Sequence, residues 1–120
     1  MQKTILIVDD DESILNSIKA ILELEGYKVI TRNKNDKHLY KLILNCSPQL
    51  ILLDVLISNH DGRIICKRLK TDKLVCNIPI ILVSGYLPAS KNFADYGADG
   101  FIAKPFDVDE LIFKIKKIIA

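Results

Sequence analysis

The chain has 120 residues, of which 49% are hydrophobic and 27% charged, a composition typical of one globular domain. A net charge of +2 does not favour direct nucleic-acid binding, and no apolar run approaches the roughly 18 residues of a membrane span. Cys46, Cys66 and Cys76 form no Cys-x-x-Cys pair, which favours free thiols in a reducing cytoplasm. We therefore expect residues 1–120 to form one cytoplasmic domain that contacts neither nucleic acid nor a membrane.

The first half of the chain alternates between apolar runs and amphipathic stretches. Ile5–Val8 is a short apolar run that predicts a first strand. Isoleucines at helical spacing after Glu12 predict a helix that ends near Gly26. Tyr27–Thr31 is rich in β-branched residues and predicts a second strand, and a second helix cannot continue through Pro48.

The run Leu50–Asp54 consists of four apolar residues followed directly by a carboxylate. A continuous apolar run is typical of a strand that is buried on both faces in a parallel sheet. An unpaired charge is very costly inside such a strand, but it can lie at the carboxyl end, where open α/β sheets bind their ligands. We therefore expect Asp54 to end the third strand at the ligand-binding edge.

The second half continues the alternation. Ser58–Gly62 is predicted to be a loop, and a short third helix follows it. Ile80–Val83 predicts a fourth strand, while Pro88 and sparse apolar residues leave room for only a short fourth helix. Phe101–Ala103 predicts a fifth strand, and the final helix begins at Asp107. Alternating strands and helices predict an α/β fold with a doubly wound, five-stranded parallel sheet and five helices on both faces.

Acidic, hydroxyl or basic side chains stand at the carboxyl ends of four of the five predicted strands. The first strand ends in Asp9 and Asp10, the third in Asp54, the fourth in Ser84 and the fifth in Lys104. Because these ends share one edge of a parallel sheet, we expect the side chains to converge. Clustered carboxylates repel unless a cation joins them, and ligands that are all oxygen favour Mg²⁺ over Zn²⁺. Such a site suits a phosphoryl group carried on a carboxylate.

Five motifs in this order resemble the receiver domain of bacterial two-component response regulators. They are VDDDE near the start, LLD at the third strand, N-x-D-G at Asn59–Gly62, VSG at Ser84 and AKPF at Lys104. The resemblance covers essentially the whole chain and implies a flavodoxin-like fold with strand order 2-1-3-4-5. It also implies that Asp54 is the phosphoacceptor for a sensor histidine kinase or a histidine phosphotransfer protein.

The resemblance further implies a metal site. Asp10, Asp54 and the backbone carbonyl of Leu56 would bind Mg²⁺, or Mn²⁺ in its place, and Asp9 would act mainly through a coordinated water.

The same resemblance assigns a switch. Lys104 would pair with Asp54 at rest and with the phosphoryl group afterwards. Ser84 would be the switch hydroxyl and Phe101 the switch aromatic residue, and the Lys104–Pro105 peptide bond is expected to be cis.

The implied activity is signalling, with Mg²⁺-dependent phosphotransfer and autodephosphorylation, not enzymatic turnover of a substrate. The phosphorylated domain would control a partner or an output domain that the residues do not identify, either as a stand-alone receiver or as part of a longer regulator or hybrid kinase. The family commonly uses the face of the fourth helix, fifth strand and fifth helix for output or dimerisation, so a homodimer through this face is one expectation.

Two other functions remain open. A Mg²⁺-dependent phosphohydrolase of the haloacid-dehalogenase type also forms an aspartyl phosphate, but it needs a second Asp where this chain has Leu56. A receiver-like interaction module that no longer uses phosphate would be favoured by the loss of an acid, of Lys104 or of Ser84, and all are present.

One departure from the family is Ser58, where a proline is usual, and we expect the loop after Asp54 to be looser for lack of it.

Overall fold

A computed structural model describes residues 2–86 and 88–119 and shows the predicted alternation of strands and helices. The strands are β1 (Thr4–Val8), β2 (Lys28–Arg32), β3 (Leu50–Asp54), β4 (Ile80–Ser84) and β5 (Gly100–Ala103). The helices are α1 (Glu12–Leu24), α2 (Lys37–Cys46), α3 (Gly62–Lys70), α4 (Ala89–Asn92) and α5 (Val108–Ile118). A 3₁₀ turn, Phe93–Tyr96, follows the short α4. Within the described ranges, no helix is long and apolar enough to span a membrane.

The five strands form one parallel sheet in the order β2-β1-β3-β4-β5, which confirms the predicted fold. The register pairs Asp54 with Val83 and Ser84 with Ala103. Asp9 directly follows β1, and Lys104 directly follows β5. The strand ends that carry polar side chains therefore lie along one edge of the sheet.

The core has two layers, one on each face of the sheet. Alternate residues of β1 point to opposite faces, so that Leu6 and Val8 join the layer under α2 and α3, while Ile5 and Ile7 join the layer under α1 and α5. All five residues of β3 are buried. Each apolar side chain buried in this way contributes roughly 1.5–3 kcal/mol. The buried central strand holds Asp54 at its end.

Aspartates cap four of the helices. The side chains of Asp11, Asp36, Asp61 and Asp107 accept hydrogen bonds from backbone N–H groups in the first turns of α1, α2, α3 and α5. The cap at Asp11 has a functional consequence. It turns the last acid of the Asp9-Asp10-Asp11 run towards α1 and leaves the other two for the edge of the sheet.

The predicted loop over residues 58–62 is instead a short hairpin followed at once by α3. Leu56–Ile57 pairs in antiparallel fashion with His60–Asp61. The two turn residues, Ser58 and Asn59, have φ angles of 50° and 62°, the pattern of a type I′ turn. This turn has a geometry that proline cannot adopt, because proline cannot have a positive φ. The expected loosening of the loop without proline stays a prediction.

Candidate functional site

Three carboxylates meet at the carboxyl edge of the sheet. One oxygen from each of Asp9, Asp10 and Asp54 lies within 4.8 Å of the others. Asp9 and Asp54 are buried, whereas Asp10 is exposed. The Leu56 N–H donates to Oδ1 of Asp54 at 3.3 Å, and the Ser58 N–H donates to Oδ2 of Asp10 at 3.4 Å. The hairpin after β3 thus contacts two of the three acids through its backbone.

Among the residues that the structure describes, Lys104 is the cation that contacts this cluster. Its Nζ lies 2.9 Å from Oδ2 of Asp9 and 3.5 Å from Oδ2 of Asp54. The predicted pairing with Asp54 is therefore present, but the shorter contact, which the sequence did not indicate, is with Asp9. The Lys104–Pro105 peptide bond is cis, as expected, and the Lys104 N–H donates to the Ser84 carbonyl at 2.9 Å.

The charges at the site are unbalanced, with three carboxylates against one ammonium. Burial, reinforced by the negative charge of Asp9, raises the pKa of Asp54 to about 6, although the charge of Lys104 opposes this. Burial also acts to lower the pKa of Lys104, but its hydrogen bond to Asp9 and the charge of Asp54 outweigh burial and raise it. A second cation would relieve the remaining repulsion.

The donor set fits a hard divalent ion. All three candidate ligands offer carboxylate oxygen, and neither histidine nor cysteine belongs to the cluster. Oxygen ligands of this kind suit Mg²⁺, which takes one or two protein carboxylates and fills its other positions with water or phosphate oxygen. The acidic cluster could therefore hold such an ion in the place that the sequence predicted.

Gly62 lies against the backbone of Asp54. Its N–H donates to the Val55 carbonyl, and a Cβ at this position would overlap the Asp54 carbonyl oxygen. The first turn of α3 therefore packs directly on the chain that carries the candidate phosphoacceptor. The Asp-Gly pair of the N-x-D-G motif is the sequence signal for this contact.

The two predicted switch residues occupy different surroundings. Ser84 is buried at the end of β4, and its Oγ accepts a hydrogen bond from the Tyr86 N–H at 2.8 Å. Phe101 lies near the start of β5, away from the edge, and its buried ring stacks on Phe93 with centroids 6.1 Å apart. The structure thus gathers Asp9, Asp10, Asp54 and Lys104, sets Ser84 at the end of the neighbouring strand, and leaves Phe101 in the core.

Residues 5–116 match the family model described as the response regulator receiver domain. This chain belongs to the receiver domain family. It is 35% identical over 119 residues to the phosphate regulon transcriptional regulatory protein PhoB of Pseudomonas aeruginosa, an alignment that covers 98% of this chain and 52% of PhoB. It is 36% identical over 124 residues to the alkaline phosphatase synthesis transcriptional regulatory protein PhoP of Bacillus subtilis, covering 99% of this chain and 49% of PhoP.

Among solved structures, a CheY-like response regulator receiver domain protein from Methanospirillum hungatei superposes with a TM-score of 0.86 and 38% identity. The superposition covers 98% of this chain and 93% of that one. This receiver domain spans about half the length of the curated relatives that it matches. Receiver domains are the signalling domains of two-component response regulators, and they are not classical enzymes.

Two cavities of this receiver domain were not predicted. One of about 460 Å³ lies beside the acidic site and is lined by Ser13, Ile14, Ser17, Lys104, Pro105 and Phe106. The other, of about 510 Å³, lies between α4, β5 and α5, with Phe93, Phe101 and Lys114 among its lining residues. The ammonium of Lys114 donates to the Phe101 carbonyl at 2.7 Å, and both residues line this second cavity. Both depend on contacts between segments far apart in the chain, which no local pattern indicates.

Proposed function

We propose that residues 1–120 form one receiver domain in which Asp54 accepts a phosphoryl group from a phosphohistidine of a sensor kinase or a phosphotransfer protein. The observation that carries this proposal is the meeting of three carboxylates and the Lys104 ammonium at one edge of the sheet. An oxygen of ionised Asp54 attacks the phosphorus atom, the nitrogen–phosphorus bond breaks, and the imidazole leaves with its electron pair.

The surroundings of Asp54 support its role as the nucleophile. Its pKa of about 6 leaves most of the carboxyl ionised at neutral pH, and the Lys104 ammonium at 3.5 Å favours the ionised form. The same ammonium is placed to bind a phosphoryl oxygen once Asp54 is modified. The side chain of Asp54 is 10% exposed, which limits access by water. Water that does reach the phosphorylated Asp54 would hydrolyse its acyl phosphate, and this reaction would be the autodephosphorylation of the domain.

Asp10 and Asp54 would hold Mg²⁺, or Mn²⁺, with the Leu56 carbonyl as a further ligand and Asp9 acting mainly through a coordinated water. The proximity of the three carboxylates and their excess charge over Lys104 support this assignment. The ion, when bound, neutralises charge on the transferring phosphoryl group.

Ser84 and Phe101 would couple the modification to the rest of the domain. The Ser84 oxygen accepts from the Tyr86 N–H, and its own hydrogen can be donated to a phosphoryl oxygen. The phosphoryl group shifts the conformational equilibrium only as far as such contacts favour one state over the other. The cavity between α4, β5 and α5 lies against Phe101, which supports this face as the one that contacts an output partner or a second copy.

The regulated output would come from a partner or from a separate domain of a longer protein. The relatives PhoB and PhoP, each about twice the length of this chain, are named as transcriptional regulatory proteins. Any contact with DNA would belong to such an output and not to this domain, whose net charge is only +2. The alternative hydrolase is disfavoured because Leu56 stands where that class of enzyme needs a second Asp. An interaction module without phosphate chemistry has no need of the ion pair between Lys104 and the buried Asp9.

Chemical trapping tests which carboxylate is modified. The protein is incubated with acetyl phosphate and Mg²⁺ and then reduced with sodium borohydride, which converts an aspartyl phosphate to homoserine. Peptide mapping should find homoserine at position 54 only. Homoserine at position 9 or 10, or at none of the three, would contradict the proposal.

A further inference from the structure

Arg63, the second residue of α3, makes polar contacts on two sides. Its Nε and Nη2 form a fork on the carboxylate of Asp61, with distances of 2.8–3.2 Å, and its Nη1 donates to Oδ1 of Asn92 at 3.4 Å. Its side chain is 16% exposed. The hydrogen bonds to Asp61 raise the pKa of Arg63 and lower that of Asp61, in keeping with an ion pair.

Two aromatic rings flank the same guanidinium. The Arg63 Cζ lies 5.5 Å from the ring centroid of Tyr86 and 5.3 Å from that of Tyr96. These distances are within the range of cation–π attraction, which is stronger when the cation is partly desolvated. Arg63 therefore joins α3 and the hairpin to the segment after β4 and to the 3₁₀ turn.

Both ends of this connection reach the functional site. Asp61 pairs with Leu56 in the hairpin that follows Asp54. On the other side, the Tyr86 N–H donates to the Ser84 hydroxyl oxygen at 2.8 Å. A ring held by Arg63 thus restrains the backbone group that holds the switch hydroxyl.

We propose that Arg63 is a positioning residue that acts through Tyr86. It holds Ser84 in the position that this residue has when Asp54 is not phosphorylated, and it thereby weakens binding of a phosphoryl group at Asp54. This inference rests on the proposed function. If Ser84 moves towards a phosphoryl oxygen, Tyr86 must follow, and its ring then leaves a guanidinium that Asp61 keeps in place. The contact energy between Arg63 and Tyr86 that is lost in this movement reduces the favourable free energy of binding the phosphoryl group.

The test uses beryllium trifluoride, a tetrahedral mimic of the phosphoryl group, with Mg²⁺ and isothermal titration calorimetry. Arg63→Met should bind the mimic roughly three- to tenfold more tightly than wild type, as expected for the loss of one or two such contacts. Arg68→Met is the matched control, since Arg68 is an exposed arginine of the same helix, and its affinity should equal that of wild type.

Further variants separate positioning from general damage to the fold. Tyr86→Leu leaves the Asp61 fork intact and should reproduce the tighter binding, and Arg63→Met combined with Tyr86→Leu should add little more. Arg63→Lys keeps a cation between the rings without the fork and should lie between wild type and Arg63→Met. Unchanged or weaker binding in both Arg63→Met and Tyr86→Leu would overturn the inference. Failure of wild type itself to bind the mimic would instead count against the proposed function.

Discussion

Lys104 lies closer to Asp9 than to Asp54, with its Nζ 2.9 Å from the first carboxylate and 3.5 Å from the second. One ammonium is therefore shared by two buried acids on neighbouring strands. This arrangement lets Lys104 neutralise the resting site while remaining within reach of any group attached to Asp54. It also makes the stability of the metal-free domain depend on a residue that belongs to the functional site.

Replacing Lys104 with methionine should destabilise the metal-free protein by about 2–3 kcal/mol, because it leaves two buried carboxylates without their cation. Saturating Mg²⁺ should restore part of the loss, since a ligand that binds only the folded state stabilises it. Urea unfolding with and without Mg²⁺ measures both effects. Lys67→Met, at an exposed position of α3, is the control and should be close to neutral. Metal-free Lys104→Met that is as stable as wild type would contradict the expected role of the shared ammonium.

Asp54→Asn should stabilise the metal-free protein at neutral pH. The pKa of Asp54 is raised from 3.8 to about 6 in the folded protein, so its ionisation opposes folding. The gain in stability from Asp54→Asn should be absent below pH 3.8, grow between pH 3.8 and about pH 6, and be complete above about pH 6. We expect it to reach on the order of 2 kcal/mol.

Urea unfolding in a chelator, at about pH 4.5 and about pH 7.5, measures this difference. The exposed Asp95 provides the control, since Asp95→Asn should show no comparable growth with pH. A stability gain for Asp54→Asn that is larger at the lower pH would have the wrong sign and would refute the raised pKa.

Gly62→Ala should destabilise the domain by at least about 2 kcal/mol, because the new methyl group overlaps the Asp54 carbonyl oxygen and forces backbone movement. The same movement should weaken Mg²⁺ binding, which calorimetry measures. Gly85→Ala is a matched control near the same edge, where the nearest atom to an added Cβ lies 3.8 Å away. Equal stability of the two variants would show that α3 does not pack on Asp54 as described.

Ser58→Pro should cost about 2 kcal/mol of stability and lower the affinity for Mg²⁺, even though proline is usual here in the family. The φ of 50° at Ser58 is closed to proline, and the substitution removes the N–H that donates to Asp10. Ser58→Gly keeps the N–H and tolerates the angle, so it should cost much less than proline. Both variants lose the hydroxyl oxygen that accepts from the Asn35 N–H at 3.4 Å, so this loss does not distinguish them. Thermal unfolding and Mg²⁺ titration compare the two. A proline variant as stable as the glycine variant would mean that the hairpin is not required.

The position of the site could be predicted because it depends on local patterns. Apolar runs mark the ends of β1, β3, β4 and β5, and Asp9, Asp54, Ser84 and Lys104 stand at or directly after those ends. Parallel topology then brings the ends to one edge. Because strand ends can be placed without knowledge of side-chain conformations, the fold and the meeting of Asp9, Asp54 and Lys104 could be predicted.

Other features depend on contacts that no local pattern encodes. Asp10 and Asp11 are chemically identical neighbours, and the composition of the run does not show which of them caps α1, since the cap depends on where the helix begins. The hairpin has strands of two residues, too short to show periodicity, and its turn lacks the glycine that usually indicates a type I′ turn. The contacts of Arg63 with Tyr86 and Tyr96 join separate segments and follow from packing alone.

The proposed Mg²⁺-dependent phosphorylation of Asp54 changes the mass of the intact protein, which is measured after incubation with acetyl phosphate. Wild type with Mg²⁺ should gain the mass of one phosphoryl group, and both Asp54→Asn with Mg²⁺ and wild type in a chelator should gain none. An equal gain in wild type and Asp54→Asn would contradict the claim.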